Sequence, residues 1–281
     1  MRAISGTTSS KRIGPSITKD LRKVLENSLR DDLILTPHLN NFLATWDGTI
    51  DPKVAEIIAR AMAEKQRDRR GSWSASQAGK CLRRQELMFL GAPGVGSTSA
   101  QGNQILNNGR WVHLRWQATL LTAGLLDDIE VTHKKKSQRA RCTLDGLGVA
   151  KSGRYSGRDF GFELKGRNEW VYQMQLGKGP DEQTRKQVDF EFLLTGLEIF
   201  VILNENKNNQ AWHEWVIIRD DSRVREMASQ IKELNRAVEN QRLHPPLEEC
   251  RKQLKSGEFY KCPYGTPGGA CANAGSWPTG I

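Results

Sequence analysis

Apolar residues recur along the chain at two spacings, which divide it into helical and extended segments. Spacings of three and four residues predict helices with one buried face, and alternation predicts strands. The region 129–165 has strand character with turn residues near its middle, and two further predicted strands, 197–204 and 211–218, are joined by the polar sequence "ENKNNQ". Predicted helices cover 16–30, 51–67, 105–124, 181–195 and 221–242, and the segment 73–90 is predicted to be a serine-rich turn that leads into another helix.

One predicted helix places three residues of interest along the same side of its surface, as a single stripe. In "ILNNGRWVHLRWQATLLTAG", Gly109, His113 and Gln117 follow one another at intervals of four residues. Residues four apart lie on the same side of a helix, so we expect these three to face the same surroundings. Gly124 is suited to end the helix. The histidine is also compatible with an ordinary place in the core.

The strand segment "FGFELKG", residues 160–166, carries an acid and a base two positions apart. Side chains alternate along a strand, so Phe162 and Leu164 can enter a core while Glu163 and Lys165 share the opposite surface. One interpretation is a solvated edge face, on which lysine guards against aggregation. The other is a site that uses both charges.

An upstream aspartate supports the second interpretation. Asp145 in "CTLDGLGVA" lies 18 residues before Glu163, far enough for two strands to pair antiparallel through a glycine-rich turn. Paired strands lie roughly 5 Å apart, so facing carboxylates can hold one cation, and magnesium prefers such oxygen ligands. Asp159 is a poorer partner, because four strand steps separate it from Glu163 by roughly 13 Å.

The charge of the 281-residue chain points to a polyanionic partner. Its formal net charge is +10, which favours nucleic acid. The basic runs "KQRDRRG", "HKKKSQRAR" and "KCLRR" are either solvated faces or a DNA track. No stretch approaches the roughly 20 apolar residues needed to span a membrane, and the N-terminus lacks the apolar core of a signal peptide. We therefore expect a cytoplasmic protein without a membrane partner.

The cysteines are five in number, and three of them fall near the C-terminus. An odd count without a secretion signal makes a disulfide framework unexpected. The tail that holds the last three is rich in Gly and Pro and poor in apolar residues, so we expect something else to order it. Cys142 lies three positions from Asp145, which in a regular strand places it on the opposite side, as a small buried hydrophobe.

These residues together resemble a known nuclease superfamily. Asp145, "ELK" at 163–165, a preceding helix with His113 and a following Gln187 in "TRKQVDF" resemble the RecB-like branch of the PD-(D/E)XK nucleases. The cysteine layout is similar to that of the iron-sulfur exonucleases of this branch, which include CRISPR-associated and phage-encoded members. The resemblance covers roughly residues 73–271.

The resemblance implies a divalent metal site, for Mg²⁺ or Mn²⁺. Lys165 would orient or help deprotonate the attacking water, and Gln187 would position the substrate or Lys165. The family often has a tyrosine four residues beyond this glutamine, where the chain has Glu191. The implied metal ligands are His113, Asp145, Glu163 and the backbone carbonyl of Leu164.

The resemblance also implies a [4Fe-4S] cluster, since four thiolates can hold one. A structural Zn²⁺ in a four-cysteine site is the alternative, and unliganded thiols are a third interpretation. Cys142 would be the spare thiol. The implied cluster ligands are Cys81, Cys250, Cys262 and Cys271.

The predicted architecture is an α/β fold of the PD-(D/E)XK, restriction-endonuclease-like type, a mixed central sheet flanked by helices. We expect an N-terminal helical extension at 1–72, the nuclease core at 73–245 and a cysteine-rich tail at 246–281. The predicted function is a metal-dependent DNA exonuclease, acting on DNA ends or single strands in recombination, repair or phage DNA processing, with recombination or CRISPR-adaptation proteins as possible partners. The alternatives are a catalytically idle DNA-binding module of recombination complexes and a sequence-specific endonuclease.

Overall fold

A mixed six-stranded sheet with helices on both faces forms the centre of the computed structural model, which confirms the predicted architecture. The structure describes residues 30–63, 70–94, 99–247, 262, 264–265 and 270–271. Within this part, no helix is both long and apolar enough to cross a membrane.

The sheet has the strand order β1-β3-β4-β5-β6, with β2 paired to β3. The β2–β3, β3–β4 and β5–β6 pairs are antiparallel, and the β1–β3 and β4–β5 pairs are parallel. The strands are β1 Trp73–Ser74, β2 Asp128–Lys135, β3 Ala140–Val149, β4 Asp159–Arg167, β5 Ile199–Asn206 and β6 Trp212–Ile218.

The helices confirm most of the predicted segments and add two. The first and fifth helices were not predicted, and the predicted helix at 16–30 lies outside the described residues. Asp181 caps the sixth helix, where its carboxylate accepts a 2.7 Å hydrogen bond from Thr184 N. The helices are α1 Thr36–Thr45, α2 Pro52–Ala63, α3 Leu82–Phe89, α4 Ala100–Thr122, α5 Glu169–Leu176, α6 Glu182–Thr195 and α7 Asp221–Glu239.

The two faces of the sheet carry separate apolar clusters. One cluster joins β3 and β5 to α6 and α7, and its Phe192 and Phe200 rings meet edge to face at 4.9 Å. The other joins β4 and β5 to α1 and α4, and it includes Phe162, Leu164 and Trp116. Burial of this apolar surface on both faces is the main force that holds the helices against the sheet.

β4 is a central strand, paired on one side with β3 and on the other with β5. Phe162 and Leu164 are buried, as the alternation predicts, but Glu163 is only 3% exposed. The interpretation of Glu163 and Lys165 as a solvated edge face is therefore wrong. Gly161 is required here, because a Cβ at this position would lie 2.4 Å from the Phe200 ring.

The segment before α1 is attached to the sheet by a buried carboxylate on β6. Glu214 accepts hydrogen bonds from the backbone N of Ile34 at 2.7 Å, Leu35 at 3.0 Å and Thr36 at 2.7 Å. Thr36 Oγ1 donates a further bond of 2.7 Å. Leu35 and Leu39 pack in the α4-side cluster. The start of α1 is thus held by the sheet itself.

Candidate active site

The site lies where β3 and β4 separate. Their ladder ends at the pair Gly146 and Phe162. Beyond this pair, the Asp145 side chain takes the place of a backbone partner, and its Oδ2 accepts a 2.8 Å hydrogen bond from Leu164 N. The N–H and C=O of one strand residue point to the same edge, so the Leu164 carbonyl also faces this gap.

The backbone of Asp145 is held from the helix side. Gln117 Nε2 donates to the Asp145 carbonyl oxygen at 2.8 Å and to Glu130 Oε1 at 2.9 Å. Glu130 lies opposite Asp145 in the β2–β3 ladder and has φ of 52°, a left-handed conformation that is strained for a non-glycine residue. Strain of this kind is common at functional sites, and here it lies in β2, directly beside Asp145 of β3.

The predicted acid and base of β4 contact each other directly. Lys165 Nζ donates to Glu163 Oε1 at 2.5 Å and to Gln187 Oε1 at 2.8 Å. Burial lowers the pKa of Lys165, but the charge and hydrogen bond of Glu163 outweigh it, so the pKa is raised overall and the ammonium is retained. Gln187 on α6 therefore contacts Lys165, as one of its two predicted roles requires.

The two carboxylates of the gap have opposite pKa shifts. Burial raises the pKa of Glu163, and the charge of Asp145 raises it further, against the opposing effect of Lys165. Burial also acts on Asp145, but the charge and hydrogen bond of His113 and the bond from Leu164 N lower its pKa overall. Two buried acids that influence each other in this way are typical of functional sites.

His113 on α4 reaches Asp145 from the other side of the gap. Its Nδ1 lies 3.2 Å from Asp145 Oδ1. Burial lowers the histidine pKa, but the charge and hydrogen bond of Asp145, with a contribution from Glu163, raise it to about 9. Gly109, His113 and Gln117 line one cavity, which confirms the predicted stripe.

Glu191 is a buried acid of this site for which no role was predicted from the sequence. It is 0% exposed on α6, and Gln187 Nε2 donates to its Oε1 at 3.0 Å. Burial and the nearby charge of Glu163 raise its pKa well above that of an ordinary glutamate. The only signal in the sequence was its spacing of four residues from Gln187, which places the two side chains on one face of a helix.

A cavity of about 520 Å³ opens beside these residues. It lies between α4, α6 and the β1–β3 side of the sheet, and it carries both polar and apolar groups. The residues from the site that line it are His113, Gln117, Glu130, Gln187 and Glu191.

Cys142 lies on the α6 side of the sheet, whereas Asp145 on the same strand contacts His113 on α4. Cys142 belongs to the apolar cluster on the α6 side and lines the same cavity as Glu191. Burial raises its pKa, as do the charges of Glu191 and Glu163, so it lies on their side of the sheet. Burial alternates without interruption along β3 from Ala140 to Val149, as the prediction for Cys142 and Asp145 assumed. Cys142 is buried, as predicted.

A group of cations lies on the rim next to Lys165. Burial lowers the pKa of Lys80, and so do the neighbouring charges of Arg84, Lys165 and Arg167, against the opposing effect of Asp181. Arg167 Nη2 donates to Asp181 Oδ2 at 2.8 Å. The Nε atoms of Arg84 and Arg167 are buried and make no hydrogen bond within the described part of the chain. We call Lys80, Arg84 and Arg167 the basic rim.

Three of the predicted cluster cysteines lie near one another. Cys81 precedes α3, and Cys271 N donates to Tyr264 O at 2.8 Å. Burial raises the pKa of Cys271, and the nearby charge of Arg83 opposes this, while Cys81 and Cys262 add to the rise. The fourth predicted ligand, Cys250, lies outside the described residues.

The described ranges contain no group of three or more His, Cys, Asp or Glu side chains that surrounds a common point as metal ligands do. In this arrangement His113 pairs with Asp145, and Lys165 pairs with Glu163. The acids are therefore held by cationic side chains of the protein itself.

Searches for relatives gave solved structures only. No family model matches the chain, and no curated protein matches it. An alkaline exonuclease from Laribacter hongkongensis, LHK-Exo, is similar with a TM-score of 0.46 and 15% identity, over 72% of this chain and 98% of that one. The structure of LHK-Exo in complex with dAMP is similar with a TM-score of 0.44 and 17% identity, over 72% of this chain and 99% of that one.

Proposed function

We propose that the protein is a metal-dependent DNA nuclease, an exonuclease that acts on DNA ends or single strands. The observation that supports it most is the contact of Lys165 with both Glu163 and Gln187, beside Asp145 in the gap between β3 and β4. Two acids and an ammonium in one buried gap suit the hydrolysis of a phosphodiester, because each can act on a different part of the reaction.

The donor atoms of the gap fit Mg²⁺ or Mn²⁺. Asp145 and Glu163 offer carboxylate oxygens, and the Leu164 carbonyl faces the same side as its N–H, which is bound to Asp145. His113 would join them after it gives up its contact with Asp145. When bound, the ion would neutralise charge on the scissile phosphate and lower the pKa of a water molecule.

The role of Lys165 follows from its two contacts. Its ammonium is fixed by Glu163 at 2.5 Å and by Gln187 at 2.8 Å, so little reorganisation is needed when negative charge develops on the phosphate. The same position allows it to orient a water molecule for attack.

The basic rim supports DNA as the substrate. Lys80, Arg84 and Arg167 lie close enough to Lys165 to affect the pKa of Lys80. A partly buried group of like charges is unfavourable by itself and becomes favourable when a phosphate binds among them. Two members of the basic rim, Lys80 and Arg84, belong to the run "KCLRR", for which a DNA track was one of the two interpretations of the sequence.

The test is cleavage of end-labelled linear DNA and of closed circular DNA, with and without Mg²⁺ or Mn²⁺. An exonuclease degrades only the linear DNA and needs the ion. Cleavage of the circle at fixed positions would support the sequence-specific endonuclease instead. Binding without cleavage under all conditions would support the idle DNA-binding module, a proposed accessory of recombination complexes.

The second part of the proposal is a [4Fe-4S] cluster held by Cys81, Cys250, Cys262 and Cys271. Arg83 is 3% exposed, lies next to Cys271, and its Nε and Nη2 have no hydrogen-bond partner among the residues described. A buried guanidinium with spare donors suits an anionic group of thiolates.

Metal analysis tests this part. Anaerobically purified protein should contain roughly four irons per chain and absorb broadly in the visible range. Cys142→Ser should keep both properties, while Ser at Cys81 or Cys271 should lose them. One zinc per chain and no iron would instead establish the zinc site.

A further inference from the structure

Glu191 is a buried acid that the protein leaves partly unsatisfied. It is 0% exposed, and its Oε2 has no hydrogen-bond partner within the described part of the chain. Its neighbours on α6, Val188 and Phe192, belong to the apolar cluster. A methionine or leucine would be the ordinary residue in such a place, because a buried polar oxygen without a partner is unfavourable. A carboxyl group that destabilises its surroundings calls for a functional explanation.

The one hydrogen bond that the Glu191 side chain makes among the described residues leads to Lys165. Glu191 Oε1 accepts from Gln187 Nε2 at 3.0 Å, and Gln187 Oε1 accepts from Lys165 Nζ at 2.8 Å. An amide has a donor end and an acceptor end. With an acceptor at position 191, the donor end of Gln187 must turn toward it, so the carbonyl end faces the ammonium.

We infer that Glu191 is a positioning residue that orients the Gln187 amide and thereby holds the Lys165 ammonium in the site. The inference rests on the proposed function, since it assigns Lys165 a part in the reaction. A protonated carboxyl keeps an acceptor oxygen, so the contact with Gln187 survives the raised pKa of Glu191. Residues that act through another group in this way change the rate of the chemical step more than substrate binding.

The variants Glu191→Met and Glu191→Gln separate this role from the alternatives. Glu191→Met removes the acceptor and fills the space with apolar atoms. We expect its kcat to fall by about 10- to 100-fold with KM little changed, because a displaced catalytic group has a cost of this size. Its Tm should rise, because an unsatisfied buried oxygen is gone. Glu191→Gln keeps an acceptor oxygen and should retain most of the turnover.

Glu214→Met is the matched control. Glu214 is also a buried glutamate, but it caps α1 with several hydrogen bonds and lies outside the reaction site. Its loss should lower Tm and leave the turnover of the folded protein unchanged. A merely structural Glu191 would behave like Glu214, with a lower Tm and unchanged kcat, and this result would overturn the inference.

Mn²⁺ binding and NMR complete the test. Glu191→Met should bind Mn²⁺ as the wild type does, and a large loss of Mn²⁺ affinity would show a metal ligand instead. The side-chain amide signals of Gln187, identified by their loss in Gln187→Leu, should shift in Glu191→Met and not in Glu214→Met. Unmoved signals in Glu191→Met would overturn the inference whether or not the protein cleaves DNA. Absence of cleavage by the wild type, with the shift present, would instead count against the proposed function alone.

Discussion

Glu163 and Glu214 are each 3% exposed in the same sheet, yet their surroundings are opposite. Glu214 accepts hydrogen bonds from three successive backbone N–H groups and one hydroxyl. Glu163 faces a second acid, Asp145, and has Lys165 as its hydrogen-bond donor. The first carboxylate fixes a helix to the sheet, while the second is kept in a place where its charge is unfavourable.

The comparison shows that burial by itself does not reveal what an acid does. The number of hydrogen-bond donors around a buried acid does reveal its role. A carboxylate surrounded by N–H groups is stabilised by them and stabilises the fold in return. A carboxylate beside another acid weakens the fold and becomes favourable when a cation or a developing positive charge arrives. Four predictions test this division.

The largest effect is expected for Glu163→Gln. Loss of the charge removes a proposed metal ligand, so we expect turnover of linear DNA to fall by about 10³-fold or more. The fold should remain, as judged by circular dichroism, because the amide keeps the shape of the side chain. Asp145→Asn, which can still accept from Leu164 N, should behave alike. Wild-type turnover in either variant contradicts the assignment.

The second-largest loss of turnover is expected for Lys165→Met. Turnover should fall by about 10²-fold or more, since the ammonium that we propose to face the phosphate is lost. Mn²⁺ affinity should persist, in contrast to Glu163→Gln, and calorimetry of Mn²⁺ binding measures the difference. If both variants lose Mn²⁺ equally, Lys165 serves to build the site and has no separate part in the reaction.

Glu214→Ala should lower stability and leave turnover unchanged, which is the reverse of the result expected for Glu163→Gln. Removal of the acceptor leaves three buried N–H groups without a partner, and we expect a loss of about 3 kcal/mol in the free energy of unfolding, measured by urea denaturation. Turnover per folded molecule should not change. An equal loss of turnover would show that the α1 segment takes part in the site.

The smallest effect is a change of stability with pH. It involves another buried acid, Glu86 on α3, which forms an ion pair with His244. Burial lowers the pKa of His244, but its bonds to Glu233 and Glu86 raise it overall. Burial also raises the pKa of Glu86, against the opposing effect of His244. The folded protein thus binds these protons more tightly than the unfolded chain does, so stability is lost as pH rises.

The pH range over which His244 contributes to this loss of stability begins near the ordinary histidine pKa of about 6.5 and extends above it. We expect the urea midpoint to fall between pH 6 and pH 9, with His244→Gln showing a smaller fall over the same range. A midpoint that rises with pH in the wild type would contradict the sign.

The sequence predicted the arrangement of the candidate site better than the contacts that support it. Alternation placed Phe162 and Leu164 in the core and Glu163 beside Lys165, because these rules are local and β4 is regular. The stripe of α4 was predicted for the same reason. The nearness of Asp145 to Glu163 was predicted from two strands paired through a glycine-rich turn, but their register was not, since no local rule sets it.

The misses have a common physical origin. Glu214 and the start of α1 are 178 positions apart, so nothing near either of them in the chain indicates their contact. Glu191 was overlooked because an acid on a helix is ordinarily exposed, and only the packing of α6 on the sheet shows that it is not.

The bond from Leu164 N to Asp145 Oδ2 has a consequence for misfolded molecules. A slip of β3 by one residue would put Leu144 or Gly146 in the place of Asp145, across from Glu163, and neither has a side-chain oxygen to accept that bond. The same slip would remove the carboxylate from its neighbour on β4. A chain with β3 in the wrong register would therefore lose the stability of its fold and any cutting activity together. Such a misfolded molecule would be harmless.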